Sequence, residues 1–155
     1  MCIVVDPPLF ISIFKSSDPD HYNYSGLRSW IKDGPGKLVL GGSLYKKELS
    51  KIESVLNLIS NLERSGKTVS FDDSHVDKEM RAVKKINKSK DFDDPHLAAL
   101  VRTSLCRIVA TRDKRSHKHL TDPALYKKPC SKPKIYGGNK NNSVLCKKNI
   151  ATCCK

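Results

Sequence analysis

The chain has 155 residues, enough for one domain or at most two, and a single core of that size buries roughly two-thirds of the unfolded surface. With 38% hydrophobic and 29% charged residues it reads as globular, and no apolar run approaches the ~20 residues of a membrane-spanning helix. The 29 Lys and Arg against 16 Asp and Glu leave a formal charge of +13, which favours polyanionic partners; from Pro123 onward there are eight lysines and no acid.

In chain order, the β-branched run Cys2–Val5 predicts a strand that stops at Asp6-Pro7-Pro8. The apolar stretch Leu9–Phe14 follows as a short helix started by the prolines. No basic segment precedes this apolar start, so an export signal is not expected and a cytoplasmic setting is. Residues 18–36 mix Pro, Gly and aromatics and read as irregular, with a short helix near Leu27–Ile31. Lys37–Leu40 is the second strand, closed by Gly41-Gly42, and Ser43 is placed to cap a long helix over residues 44–64. Leu44, Ile52, Val55, Ile59 and Leu62 share one face of that helix. Gly66 ends it, residues 67–71 form the third strand, 73–86 a polar helix and 88–90 a linker. Asp94-Pro95 opens a helix running to about Ser104, and a strand over 107–110 ends at Thr111-Arg112-Asp113. A short helix over 115–120 and an edge strand at 134–136 complete the pattern. After Gly137-Gly138 a basic, mobile tail is expected, which leaves residues 1–136 as the domain. Strands alternating with helices predict an α/β fold on a mainly parallel sheet.

The six cysteines (Cys2, Cys106, Cys130, Cys146, Cys153 and Cys154) form no C-x-x-C pair and match no common zinc module. Cys2 and Cys106 abut apolar runs and are expected as core thiols, which suits a reducing compartment. A metal site in the tail cysteines is the less favoured alternative.

Four acids occupy places where an acid needs a reason. Asp6 and Asp113 each follow a strand at its carboxyl end, where open parallel sheets bind ligands, although either also suits a turn or cap. Glu48 falls in the middle of the apolar stripe of the long helix, where an ionised carboxylate is costly without a partner; the plain alternative is a first-turn glutamate reaching water. Asp94 is a good N-cap ahead of Pro95, worth ~1 kcal/mol, and also projects along the Leu97, Val101, Leu105 face. Four carboxylates in one pocket would repel one another unless a cation were present, and all-oxygen donors select Mg²⁺ or Mn²⁺. In a basic protein such a site points to phosphodiester hydrolysis.

These stretches resemble a PIN domain, a metal-dependent nuclease fold. The closest is Lys88-Ser89-Lys90-Asp91-Phe92-Asp93-Asp94-Pro95-His96-Leu97-Ala98-Ala99-Leu100 followed by Arg107-Ile108-Val109-Ala110-Thr111-Arg112-Asp113-Lys114. Val4-Val5-Asp6 is similar to the family's first strand and acid, and Gly41-Gly42-Ser43-Leu44-Tyr45-Lys46-Lys47-Glu48-Leu49 to its glutamate helix. The resemblance implies a three-layer α/β/α sandwich and a Mg²⁺- or Mn²⁺-dependent endoribonuclease in which Asp6, Glu48, Asp94 and Asp113 ligate metal and position the attacking water. It further implies RNA as substrate and, as in toxins of bacterial toxin–antitoxin pairs, a small protein inhibitor and a homodimer. Two positions depart from the family pattern: Pro8 stands where a small polar residue is common, and Arg115 where many members have another acid. A leaner metal site is therefore expected. Thr111, Lys46, Lys47, Arg112, Lys114 and Arg115 flank the pocket as candidate phosphate contacts, each with an ordinary surface or structural role as its alternative. Asp91 and Asp93 read as solvated loop acids, with an auxiliary role at the site as their alternative, His96 as a packing or capping residue, and His117 and His119 as a solvated face.

Rival readings fit less well. A haloacid-dehalogenase type phosphatase wants Asp-x-Asp after its first strand, which Asp6-Pro7-Pro8 does not supply, and a receiver domain does not account for Glu48. A PIN-like module that binds RNA or protein without cutting is the non-enzymatic alternative.

Overall fold

A computed structural model describes residues 1–127, 130–149 and 151. Five parallel strands form the central sheet: β1 (Cys2–Val5), β2 (Lys37–Leu40), β3 (Thr68–Ser70), β4 (Ile108–Ala110) and β5 (Lys134–Tyr136). Their spatial order is β3-β2-β1-β4-β5. Helices flank the sheet in a three-layer α/β/α sandwich: α1 (Leu9–Phe14), α2 (Ser25–Lys32), α3 (Ser43–Ser50), α4 (Glu53–Arg64), α5 (Asp73–Ile86), α6 (Pro95–Ser104) and α7 (Lys114–Leu120). β1 lies at the centre with every residue fully buried, which is why it reads as an unbroken apolar run instead of an alternation. The edge strands β3 and β5 are short and half-exposed, the common way of limiting an unpaired edge.

The order of the strands decides where a ligand can sit. The chain steps outward from β1 to β2 to β3, then crosses back to lay β4 on the other side of β1 and β5 beyond it. The direction of winding therefore reverses between β1 and β4, and in open α/β sheets the crevice at the carboxyl ends of such a pair is the binding position. Asp6 leaves β1 there, its N–H bonded to the Ala110 carbonyl at the end of β4 (2.9 Å).

The expected helix over 44–64 is two helices. α3 buries Tyr45 and Leu49, whereas α4 buries Val55, Ile59 and Leu62. On one straight helix these two sets would point about 90° apart, so no single stripe serves both. The interruption at Lys51-Ile52 resets the phase, and Ile52 has left helical geometry with φ −117° and ψ 83°. Ser43 does not cap α3 either. Its N–H and hydroxyl both donate to Asp77 (3.0 and 2.6 Å), and the Gly42 N–H donates to Asp73 (2.8 Å), so α5 caps α3 across space. Gly42 permits this closeness: its φ is +88°, and a Cβ there would meet Val76 at 2.7 Å.

α6 is buried on nearly every side, wedged against α5 and the sheet. Ala98 and Ala99 give it the slim profile a doubly covered helix needs. Past β5, the segment read as a tail packs back on the domain as far as Asn149. A 3₁₀ segment, Asn139–Val144, is seated on α2: the Asn139 amide accepts from the Gly26 N–H (2.9 Å) and donates to the Ser25 hydroxyl (2.9 Å). Cys2 is buried as expected but is disulfide-bonded instead of a thiol, which removes one support for a reducing setting. Lys128, Cys153, Cys154 and Lys155 of the basic segment lie outside the described residues. Among the described residues no helix is long and apolar enough to cross a membrane.

Candidate functional site

A cavity of about 660 Å³ opens at the carboxyl ends of β1 and β4. Asp6, Glu48, Asp94 and Asp113, drawn from four separate segments, all line it, together with Asp93 and Arg112. Each acid arrives for a structural reason. Asp6 is the first residue past β1. Asp113 is the N-cap of α7 just after β4 and accepts from the Arg115 N–H (2.9 Å). Glu48 is brought in by Tyr45, one turn earlier on α3, whose buried hydroxyl donates to the Val5 carbonyl (2.7 Å) and ties that helix to the end of β1.

Asp94 differs from expectation in an informative way. It occupies the N-cap position of α6 but makes no side-chain capping bond. Its carboxylate instead accepts from the Ser116 hydroxyl on α7. The N-cap identity explains the start of the helix, yet the carboxylate is spent on the cavity wall.

The electrostatics follow from burial and crowding. Asp6, only 8% exposed, has its carboxyl pushed up to about 6, first by burial, with the negative charges of Asp94 and Glu48 acting in the same direction. The Thr111 hydroxyl, donating to Asp6 at 2.7 Å, and the nearby His96 oppose the rise. Glu48 is held below the ordinary glutamate range by the His96 side chain, whose Nε2 lies 3.3 Å from its carboxylate though poorly aligned for a strong hydrogen bond. Asp113 is lowered by Arg115, whose Nε and Nη2 reach its two oxygens at 3.2 and 2.9 Å. Asp113 is therefore already engaged by the Arg115 guanidinium.

The candidate phosphate contacts divide. Arg112 lines the cavity. Thr111 is fully buried and orients two acids, through its bond to Asp6 and by accepting from the Asp113 N–H at 3.1 Å. Lys114 faces a neighbouring cleft instead. Arg115 is committed to Asp113 and does not line the cavity. Lys46 pairs with Asp73 at 2.8 Å and does not line this cavity, because Glu48 enters from the opposite flank of α3.

Residues not expected at the site also appear. His96 is only 1% exposed and stands against Glu48, while Ser116 and Lys51 complete the surroundings. Asp93 lines the cavity, but Asp91 stays on the exposed loop as expected. His119 is buried and stacked on Phe92 (5.1 Å between ring centres), not solvated, and His117 is half-buried. The proximity of His96 to Glu48 was within reach of sequence reasoning, since it follows Asp94 by two on an otherwise apolar helix. Ser116 carried no signal, because its role depends on how α6 and α7 dock.

By donor chemistry the cavity fits a hard divalent cation. All its acidic donors are oxygens, and the Asp6 carboxyl is raised first by burial, with the charges of Asp94 and Glu48 adding to the rise. Among the described residues, no three His, Cys, Asp or Glu side chains are arranged as a ready-made metal cluster. No family model matches the chain, and no curated protein or solved structure matches it either.

Proposed function

We propose that the chain is a divalent-metal-dependent endoribonuclease, acting on RNA phosphodiesters with a PIN-like site. The observation that carries this reading is the convergence of Asp6, Glu48, Asp94 and Asp113 on one cavity at the β1/β4 crevice. A basic chain and the order of the sequence motifs support it.

In this reading Asp6, Glu48 and Asp94 hold the ion, with Asp113 joining when Arg115 releases it. Bound Mg²⁺ or Mn²⁺ supplies charge neutralisation at the scissile phosphate and an acidified water. The protein does the rest. Thr111 and Ser116 orient Asp6 and Asp94 by donating to one oxygen of each. His96 keeps Glu48 ionised and in place from beneath. Lys51 and Arg112 offset the acids on the cavity wall and favour approach of a phosphate. The cytoplasmic setting, a small protein inhibitor and a homodimer belong to the same reading as its further expectations.

The test is cleavage of end-labelled RNA by purified protein in Mg²⁺, Mn²⁺ and EDTA, alongside Asp6→Asn and Asp94→Asn. Cleavage is expected only with metal and only in the unmodified protein. Cleavage that persists in EDTA, or in both variants, sinks the proposal; RNA binding with no cleavage under any condition favours the non-cutting module.

A further inference from the structure

A second cleft, of about 410 Å³, lies at the carboxyl ends of β4 and β5 and adjoins the acidic cavity through Arg112, which lines both. Its character is the reverse. Arg112, Lys114 and Lys140 line it, with Asp20 as their acidic counterpart, and Asn23 and Asn141 supply neutral donors and acceptors. Asp20 is already taken up by Arg112 at 3.4 Å. Lys114 and Lys140 make no ion pair among the described residues, so their charge faces the cleft uncompensated. His117 also lines the cleft, and its buried Nε2 has no hydrogen-bond partner among the described residues. A buried polar atom without a partner is costly unless something else occupies the site.

The wall that carries Lys140 and Asn141 is built on purpose by the segment after β5. Asn139 grips α2 and the Tyr22 carbonyl (2.9 Å), and the Tyr136 hydroxyl donates to Asn142 at 2.7 Å. Gly26 allows the approach, since a Cβ there would fall 2.5 Å from the Asn142 side chain. Tyr22, next in sequence to the cleft residue Asn23, is 84% exposed and leaves an aromatic ring open to solvent.

Resting on the nuclease reading, we propose that this cleft is a subsite for single-stranded RNA, in which Lys114, Lys140 and Arg112 bind phosphates of the nucleotides flanking the bond held over the acidic cavity. A polyanion entering a cavity lined by five acids needs a cationic surface beside it, and this cleft is the basic surface continuous with that cavity. Phosphate contacts fix register without reading sequence, and an exposed ring adds stacking to any base.

The experiment is fluorescence anisotropy of a labelled 12-nucleotide oligouridine, in EDTA so that nothing is cut, over a salt series. The double variant Lys114→Ala/Lys140→Ala is expected to bind about tenfold more weakly at low salt, with a salt slope shallower by about 1.4, as two lost contacts to a single strand imply. Tyr22→Ala is expected to weaken binding about fivefold with the slope unchanged. Lys84→Ala/Lys85→Ala, exposed on α5 away from both cavities, is expected to bind as the unmodified protein does. Unchanged affinity in Lys114→Ala/Lys140→Ala, or an equal loss in the α5 pair, overturns the subsite. The two readings fail separately. Loss of binding in the lysine variant of a protein that never cuts leaves the subsite standing without the nuclease; metal-dependent cutting with unaltered binding does the reverse.

Discussion

The two hollows at the carboxyl edge of the sheet share one loop. Thr111-Arg112-Asp113-Lys114, leaving β4, sends Asp113 to one side and Lys114 to the other, with Arg112 on the partition. On the β1 side the groups are held: Asp6 is buried and bonded to Thr111, Asp94 accepts from Ser116, and Glu48 stands on a buried histidine. On the β5 side the lysines are exposed and make no ion pair among the described residues. A site for chemistry needs its groups held before the substrate comes, whereas a surface that only attracts phosphate works with mobile charges. Substitutions should therefore behave differently in the two places.

The largest expected effect is on turnover. Asp94→Asn keeps the size of the side chain and the start of α6 but removes an anionic donor, and should lower metal-dependent RNA cleavage by at least about 100-fold. A loss under threefold, measured with initial rates at saturating Mn²⁺, breaks the contrast. Affinity for oligouridine should hardly fall in the same variant, the opposite of the lysine pair.

Stability separates the two hollows next. Folded, the Asp6 carboxyl titrates near 6, against 3.8 for an ordinary aspartate. The folded state thus holds the proton more tightly, so without metal this group costs stability as pH rises from about 4 to about 6. Asp6→Asn should be more stable than the unmodified protein in EDTA at pH 7 by about 3 kcal/mol, and most of the gap should close by pH 4. Urea melts at the two pH values check this; a destabilised variant at pH 7 would show that burial does not raise the Asp6 carboxyl. A stabilising change that abolishes activity is the mark of a group kept for function.

Smaller again is the anchor of α3. Tyr45→Phe leaves the ring packed but deprives the Val5 carbonyl of its donor, and should cost about 1 kcal/mol in a denaturant melt. It should also slow cleavage, since Glu48 rides on the same helix; full activity would detach Glu48 from the site. The smallest effect belongs to Lys46→Ala, which breaks an exposed pair with Asp73 worth about 0.5 kcal/mol or less and should leave cleavage unaltered.

What the sequence disclosed and what it hid divide along the same physical line. β1, β2 and β4 are covered on both faces, so their apolar runs mark them directly, and Asp6 and Asp113 are visible as acids at strand ends. The interruption between α3 and α4 was hidden because Leu44 and Ile52 complete a plausible single stripe, while Tyr45 and Leu49 are the residues that α3 buries. Ser43 has the composition of a cap, yet the acids that cap α3 come from Asp73 and Asp77. Lys46 and Glu48 are two residues apart on one helix, which sends them to different sides. The Asn-rich stretch after β5 has no periodicity to read, since side-chain bonds to backbone hold it in place.

The most direct measurement is Mn²⁺ binding followed by isothermal titration, with circular dichroism to verify the fold. One site is expected in the unmodified protein at pH 7, lost in Asp6→Asn/Asp94→Asn. Equal Mn²⁺ uptake by that double variant, or none by the unmodified chain, would contradict the claim that these four distant carboxylates serve one ion.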